Sequence, residues 1–188
     1  MEPIDLLMGE HRHIERVLGA LGDAIERARA GEGLSVSGFE AAVRFIRGFA
    51  DGLHHLKEED VLFAAMAEHG MPPDQGPLAV MLHEHQVGRE HVTRMDGAVN
   101  ALRSGLEVGV PPLLQGAQGY AELLALHIHK EDRILYPLSR QLLPAAAFEK
   151  IAARFAKIDG AHSVPFAEAT EQAVSALGSK GDLFPTRP

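Results

Sequence analysis

Apolar residues recur every three or four positions along almost the whole chain, a spacing typical of amphipathic α-helices. No stretch alternates apolar and polar residues as a half-buried β-strand would. In the first segment the repeating apolar positions are Ile4, Leu7, Ile14, Leu18, Leu21 and Ile25. The pattern therefore predicts an all-α fold.

Breaks rich in glycine, serine and proline divide the chain into long segments. The breaks lie at residues 31–38, 69–77 and 104–112. After the first helix, the spacing predicts helices over residues 37–68, 75–103 and 112–142. Four long helices joined by short loops are typical of an up-down-up-down four-helix bundle. Pro137 is expected near a kink of the fourth helix or in its last turns.

The C-terminal part of the chain predicts two shorter helices, at residues 145–158 and 165–177. We expect both to pack against the outside of the bundle. Residues 183–188 are typical of a loose tail. The predicted organisation is therefore a bundle over residues 1–142 and a helical appendage with a tail over residues 143–188.

The charge balance of the chain restricts its partners. The 188 residues include 18 Lys and Arg against 26 Asp and Glu, a formal net charge of -8. This acidic balance, without a basic stripe, argues against nucleic acid and against anionic membranes. No apolar run is long enough to span a bilayer, and the first residues do not resemble a signal peptide, so we expect a cytoplasmic location. The sequence leaves the oligomeric state open.

The chain has no cysteine but 11 histidines. The absence of cysteine excludes disulfides, thiolate metal sites, iron–sulfur clusters and a cysteine nucleophile. Any bound metal must therefore be held by nitrogen and oxygen ligands.

Two histidine-rich stretches are nearly identical, HHLKEED at residues 54–60 and HIHKEDR at residues 127–133. Their offset is 73 residues, and at an offset of 74 His11 falls on His85. The first two helices therefore resemble the next two, and a bundle built this way brings equivalent positions toward one centre. Chance similarity between amphipathic helices is the alternative, since the matches are short.

Each of these stretches contains a histidine and a glutamate four positions apart. His54 and Glu58 form the first pair, and His127 and Glu131 form the second. On an α-helix that separation places both side chains on one face. Each helix thus offers two adjacent candidate metal ligands.

His11 and His85 share their helix faces with core residues, so the candidate ligands point into an apolar interior. Ionised carboxylates buried there without a partner would cost several kcal/mol each. Two divalent cations would satisfy all six groups together. Any one of these histidines taken alone is more simply a hydrogen-bonded core residue, but the set with its repeated spacing favours metal.

These motifs resemble the hemerythrin-like family, also called HHE cation-binding proteins, over about residues 5–140. The family has one histidine on the first and third helices, His-x3-Glu on the second, and His-x3-Glu or His-x4-Asp on the fourth. The resemblance implies a non-haem di-iron centre bridged by Glu58 and Glu131. The ligands it implies are His11, His54, Glu58, His85, His127 and Glu131. Manganese or zinc is also possible, because the same ligand types suit all three metals.

The chain departs from the classical oxygen carriers of this family on its third and fourth helices. The carriers place two histidines four apart on the third helix, but the residue four after His85 is Arg89. They often use the residue five after the fourth-helix histidine, here Asp132, so the fourth-helix bridge is either Glu131 or Asp132. We favour Glu131, because the repeat aligns it with Glu58. Fewer protein ligands leave open metal positions, which favours chemistry with oxygen, peroxide or nitric oxide over oxygen carriage.

Tyr120 is a candidate catalytic residue because it lies two helical turns before His127, on the same inward face. We expect its hydroxyl to line the pocket above the metals and to donate to a bound oxygen species. The alternative is an ordinary core tyrosine. For Arg89 we favour a role at the bundle surface over contact with a bridging carboxylate.

The remaining polar residues near the motifs are expected outside the ligand set. His55 and His129 are turned about 100° and 200° from the adjacent ligands, which predicts places at the surface or behind a ligand. Solvent exposure is expected for His13, His83, His91 and Glu59.

Three functions are compatible with these residues. The favoured one is a di-iron enzyme of peroxidase, catalase or nitric oxide reductase type, supplied by an unidentified electron donor. The second is a binding module that senses oxygen or nitric oxide, or stores iron, without turnover. The third is a structural bundle that holds zinc or no metal.

Overall fold

The computed structural model describes residues 2–179 and 181, and shows six helices and no β-strand in that part of the chain. In chain order they are α1 (Pro3–Arg29), α2 (36–68), α3 (Gly76–Arg103), α4 (110–142), α5 (Ala145–Asp159) and α6 (Phe166–Leu177). A short 3-10 turn, Glu107–Gly109, precedes α4. The predicted all-α class is confirmed. The predicted tail at residues 183–188 lies outside the described residues.

The helix ends follow local sequence signals. Ser35 begins α2 by accepting a hydrogen bond from the backbone N–H of Gly38 at 3.1 Å, a typical N-cap contact. Gly70 and Gly105 follow α2 and α3 with φ of 102° and 80°. Only glycine adopts that left-handed conformation without a steric cost, so these residues end the helices.

Two helices are not α-helical throughout. α2 is π-helical over Ile46–His55 and Glu58–Phe63, and α4 is π-helical over Glu131–Leu135. Hydrogen bonds from i to i+5 widen each turn, so successive side chains rotate by less than the 100° of an α-helix. Pro137 follows the α4 segment closely and has no N–H to bond back into it. Such segments often lie at functional sites.

The four long helices contact one another, and the C-terminal helices cover two of them. α3 packs along α4, α1 packs against α4, and α2 packs against α3. α6 lies on both α1 and α2, while α5 contacts α1 and the second π-helical segment of α2. The up-down order of the long helices stays a prediction. Within the described residues, no helix is both long and apolar enough to cross a membrane.

Two apolar clusters fill the interior, and polar side chains lie between them. On α1, Leu7 belongs to one cluster and Ile14 to the other, with the buried His11 between them. The same order holds on α3 around His85. The fold therefore places a polar layer across the middle of an apolar interior.

Candidate metal centre

The polar layer contains two groups of four side chains that share Glu58. Group one comprises His11, His54, Glu58 and Glu131, and group two comprises His55, Glu58, His85 and His127. Within each group, one candidate ligand atom from every residue lies within 4.8 Å of the others, and all the residues are buried. The six side chains singled out from the sequence therefore come together, with His55 in addition.

The distances between these side chains match those around a shared cation. The Nε2 atoms of His11 and His127 each lie 3.2 Å from an oxygen of Glu131. The Nε2 atoms of His85 and His127 lie 3.0 Å apart. Metal–ligand bonds of about 2.0–2.2 Å place two ligands of one ion about 3–4 Å apart. The side chains are therefore spaced as ligands that face common ions.

Several buried polar atoms at the centre have no hydrogen-bond partner among the described residues. They are Nε2 of His54, Oε2 of Glu58, and both carboxylate oxygens of Glu131. Folded proteins satisfy nearly all buried polar groups with hydrogen-bond partners. Bound cations would supply the missing partners, so these residues fit a two-ion site.

Each candidate histidine has its Nδ1 atom within hydrogen-bond distance of a carboxylate that lies behind it. The pairs are His11–Asp132 (2.7 Å), His54–Glu10 (2.9 Å), His55–Asp51 (3.2 Å), His85–Glu59 (2.7 Å) and His127–Glu84 (2.9 Å). A ring that donates its Nδ1–H to a carboxylate keeps the Nε2 lone pair free for a metal. The supporting contacts therefore orient every ring for binding.

A basic side chain holds each of these carboxylates in turn. The contacts are Lys57–Glu10, Lys130–Glu84, Arg12–Asp132, Arg89–Glu59 and Arg89–Asp51. The repeat aligns Lys57 with Lys130 and Glu10 with Glu84. The supporting residues are therefore duplicated along with the candidate ligands.

His55 is a candidate ligand that the sequence reasoning missed. A regular α-helix would turn its side chain about 100° away from His54. The π-helical segment Ile46–His55 reduces this rotation, so His55 is buried and its ring stacks on His85 with 3.8 Å between centroids. A surface position for His55 was therefore wrong.

The histidines at positions 13, 83, 91 and 129 lie outside both groups. His83 and His129 are exposed, as expected for His83 and as one of the two alternatives for His129. His13 and His91 were expected in solvent but are half-buried. For His13 the reason is α6, which places the ring of Phe166 5.7 Å from the imidazole.

The structure gives different positions to the two adjacent acids of α4. Glu131 lies at the centre, whereas Asp132 lies behind His11. Glu59, expected in solvent, instead lies 2.7 Å from His85 and accepts a hydrogen bond from Arg89 at 2.7 Å. Arg89 was expected to act at the bundle surface. Its guanidinium in fact also holds the carboxylates that lie behind the histidines of group two.

Tyr136 is a second residue that the sequence reasoning missed. Its hydroxyl donates to Oε1 of Glu58 at 2.6 Å, and its ring stacks on His11 with 5.4 Å between centroids. The repeat aligns Tyr136 with Phe63, whose ring stacks on His85 at 6.0 Å. The two halves of the centre therefore differ by a hydroxyl group, and the repeat alignment contained the signal.

The pKa values of the two central acids, Glu58 and Glu131, are shifted in opposite directions. Burial, followed by the charge of Glu131, raises the pKa of Glu58 well above its ordinary value. Burial acts in the same direction on Glu131, but His127 and His11 outweigh it and hold its pKa well below the usual range. Burial opposes protonation of His11, but Asp132 and Glu131 raise its pKa to about 9. These shifts favour protons on Glu58 and His11 in the metal-free protein, and a bound cation would compete with those protons.

Tyr120 lies beside the centre, on the wall of a cavity of about 220 Å³ that His55 and His85 also line. Its side chain is buried, and its hydroxyl has no hydrogen-bond partner among the described residues. The structure thus places Tyr120 next to group two, and its catalytic role stays a prediction.

Long helices around a buried layer of imidazoles and carboxylates define a helical cation-binding protein. The sequence model described as the hemerythrin HHE cation binding domain matches residues 2–139, and the chain belongs to this family. The resemblance seen in the sequence is therefore confirmed, and with it the assignment to a metal-binding class.

Three curated mycobacterial proteins are similar to the chain. They are "Uncharacterized protein Rv1995" and "Uncharacterized protein MT2051" of Mycobacterium tuberculosis, and "Uncharacterized protein Mb2018" of Mycobacterium bovis. Each is 27% identical over 149 residues, which cover 79% of this chain and 58% of the relative. The chain therefore spans little more than half the length of these relatives. No solved structure matches it.

Proposed function

We propose that the chain binds two iron ions in a non-haem di-iron centre and binds or reduces oxygen, peroxide or nitric oxide. The observation that carries the proposal is the shared Glu58, because a carboxylate common to two ligand groups is placed to bridge two ions. Glu131 belongs to group one and also lies 3.2 Å from His127 and 3.9 Å from His85 of group two, so it would be the second bridging carboxylate. Manganese or zinc is the alternative, and the proposal includes an up-down-up-down arrangement of the long helices.

The protein's own contribution is to orient the ligands and to control protons around them. Iron ions, when bound, would supply electrons and open coordination positions. The carboxylates behind the imidazoles fix the ring tautomers, and Tyr136 holds Glu58 in place. Apolar clusters on both sides limit access by water. In this proposal Tyr120 donates a hydrogen bond to the ligand beside group two.

Reconstitution with ferrous iron under anaerobic conditions tests the proposal. Elemental analysis should give about two iron ions per chain for the wild type and fewer for His127→Ala. His129→Ala is the matched control, because His129 lies on the same helix but is exposed. Zinc at full occupancy after expression in iron-rich medium, or equal iron loss in the two variants, would contradict a di-iron site at these residues.

Stopped-flow mixing of the ferrous protein with oxygen, hydrogen peroxide and nitric oxide then separates the possible functions. Oxidation of the iron with consumption of one ligand supports an enzyme that needs an electron donor. Reversible binding without consumption moves the function to sensing or storage. A loaded protein inert toward all three ligands would refute small-ligand chemistry.

A further inference from the structure

The cavity beside group two has a mixed lining that suits a small organic molecule. Its volume is about 220 Å³, and Ile46 and Val92 give it apolar walls. Gly88 also faces it, and the absence of a side chain there keeps space open between α3 and Tyr120. His55 and His85, both members of group two, also line the cavity.

Tyr120 lines this cavity, and its hydroxyl is the group that points to a ligand. It is buried and has no hydrogen-bond partner within the described residues, although buried hydroxyls almost always have one. Burial raises its pKa above the ordinary value for tyrosine, so the group stays protonated and can donate. A ligand with an acceptor oxygen would satisfy it.

The charged residues on the cavity wall are already matched. Arg89 donates to Asp51 at 2.9 Å and to Glu59 at 2.7 Å, and Arg47 donates to Asp96 at 2.8 Å. An anion would therefore have to compete with carboxylates for these guanidinium groups. The lining favours an uncharged ligand.

The cavity volume selects among the ligands that the proposed function allows. A protein cavity of about 150 Å³ holds benzene, so this cavity exceeds the needs of oxygen, nitric oxide or hydrogen peroxide. Among the proposed ligand classes, only a peroxide can carry an organic group. We propose that this cavity binds a small uncharged organic hydroperoxide, an inference that rests on the proposed function. Tyr120 donates a hydrogen bond to its peroxide oxygen, and its alkyl group packs against Ile46 and Val92.

A titration of the zinc-loaded protein with tert-butyl hydroperoxide, followed by amide NMR, tests binding without redox turnover. The amide signals of Gly88 and Val92 should shift and saturate. Tyr120→Phe should weaken binding about fivefold, as expected for the loss of a hydrogen bond. Its stability should be unchanged or higher, because the removed hydroxyl has no partner.

Gly88→Ala provides a steric test with a matched control. An added Cβ would meet Leu124 and Tyr120 at 3.6 Å, an ordinary contact, so the variant should fold with a smaller cavity and bind more weakly. Gly97→Ala, on the same helix with nothing within 4 Å of the added Cβ, should bind like the wild type.

Absence of saturable shifts would overturn the hydroperoxide proposal, and so would equal affinity in Tyr120→Phe, Gly88→Ala and Gly97→Ala. Elemental analysis of the same samples reports separately on the metal centre. A protein that fails to take up metal but still binds the hydroperoxide refutes the proposed function alone.

Discussion

Replacing Lys57 with methionine should destabilise the metal-free protein far more than the same change at Lys130, although the two lysines align in the repeat. Lys57 has 0% of its side chain exposed and bonds Glu10 and, at 2.5 Å, Asp159 of α5. Lys130 has 33% of its side chain exposed and bonds Glu84. The same Lys-to-Met change at the two sites therefore compares a buried Lys–Glu ion pair with a partly exposed one.

The expected magnitudes follow from this difference in burial. Removal of one partner from a buried ion pair costs about 3–5 kcal/mol, whereas exposed pairs contribute about 0–1 kcal/mol. The cost of removing Lys57 is reduced because Glu10 can take up a proton. Burial raises the pKa of Glu10 to about 6 even beside Lys57. We expect losses of about 3 kcal/mol for Lys57→Met and at most about 1 kcal/mol for Lys130→Met near neutral pH.

The loss in Lys57→Met should also grow with pH. The folded-state pKa of Glu10, about 6, lies above its ordinary value of 4.5, so its stabilising effect is present below 4.5 and is lost as pH rises through 6. Without Lys57 that pKa rises further, so the loss of stability continues to higher pH. At low pH Glu10 is neutral in both proteins, and the difference is smallest.

Urea unfolding of chelator-treated protein, followed by circular dichroism from about pH 5 to about pH 8, measures these free energies. Lys150→Met, at an exposed position on α5, is the control for the substitution itself. Equal losses at Lys57 and Lys130, or a Lys57→Met loss that does not change with pH, would refute the role of the buried pair.

Other variants test the centre itself. Tyr136→Phe should lower the stability of the metal-free protein by about 1–3 kcal/mol in urea unfolding, because Glu58 loses its donor; unchanged stability would contradict that contact. His55→Ala should reduce zinc uptake by about one ion per chain by elemental analysis, whereas exposed His129→Ala should not; equal uptake would remove His55 from the ligands. Zinc binding should release protons near neutral pH, because His11 has a pKa of about 9, and the affinity for zinc should rise with pH toward that value. Calorimetry in buffers of different ionisation enthalpy measures the number of protons released. Binding without proton release would contradict the expectation.

Much of the fold followed from apolar spacing, because helix faces and breaks are local properties of a sequence. The α2 and α3 boundaries lie within one residue of the prediction from the breaks around Ser35 and Gly105. The π-helical segments did not follow, since they depend on what the neighbouring helices pack against each turn. His55 was misplaced for that reason.

The candidate ligands were accessible from the sequence, but several residues behind them were not. Spacing of four residues identified His54 with Glu58, because both partners lie on one helix face. Glu59, in contrast, contacts His85 across 26 positions of the chain, and Tyr136 contacts Glu58 across 78. Contacts between different helices leave no periodic signal in a single sequence. The repeat, which aligns Glu59 with Asp132, was the available clue.

Acids and imidazoles lie in a layer between the two apolar clusters. We expect this layer to be the least stable cross-section of the metal-free molecule. Each apolar cluster stabilises one end of the bundle by hydrophobic burial. Between the two clusters, the metal-free chain has mainly closely packed ionisable groups. We therefore expect the two ends to open as separate units in hydrogen exchange, and metal loading to join them into one.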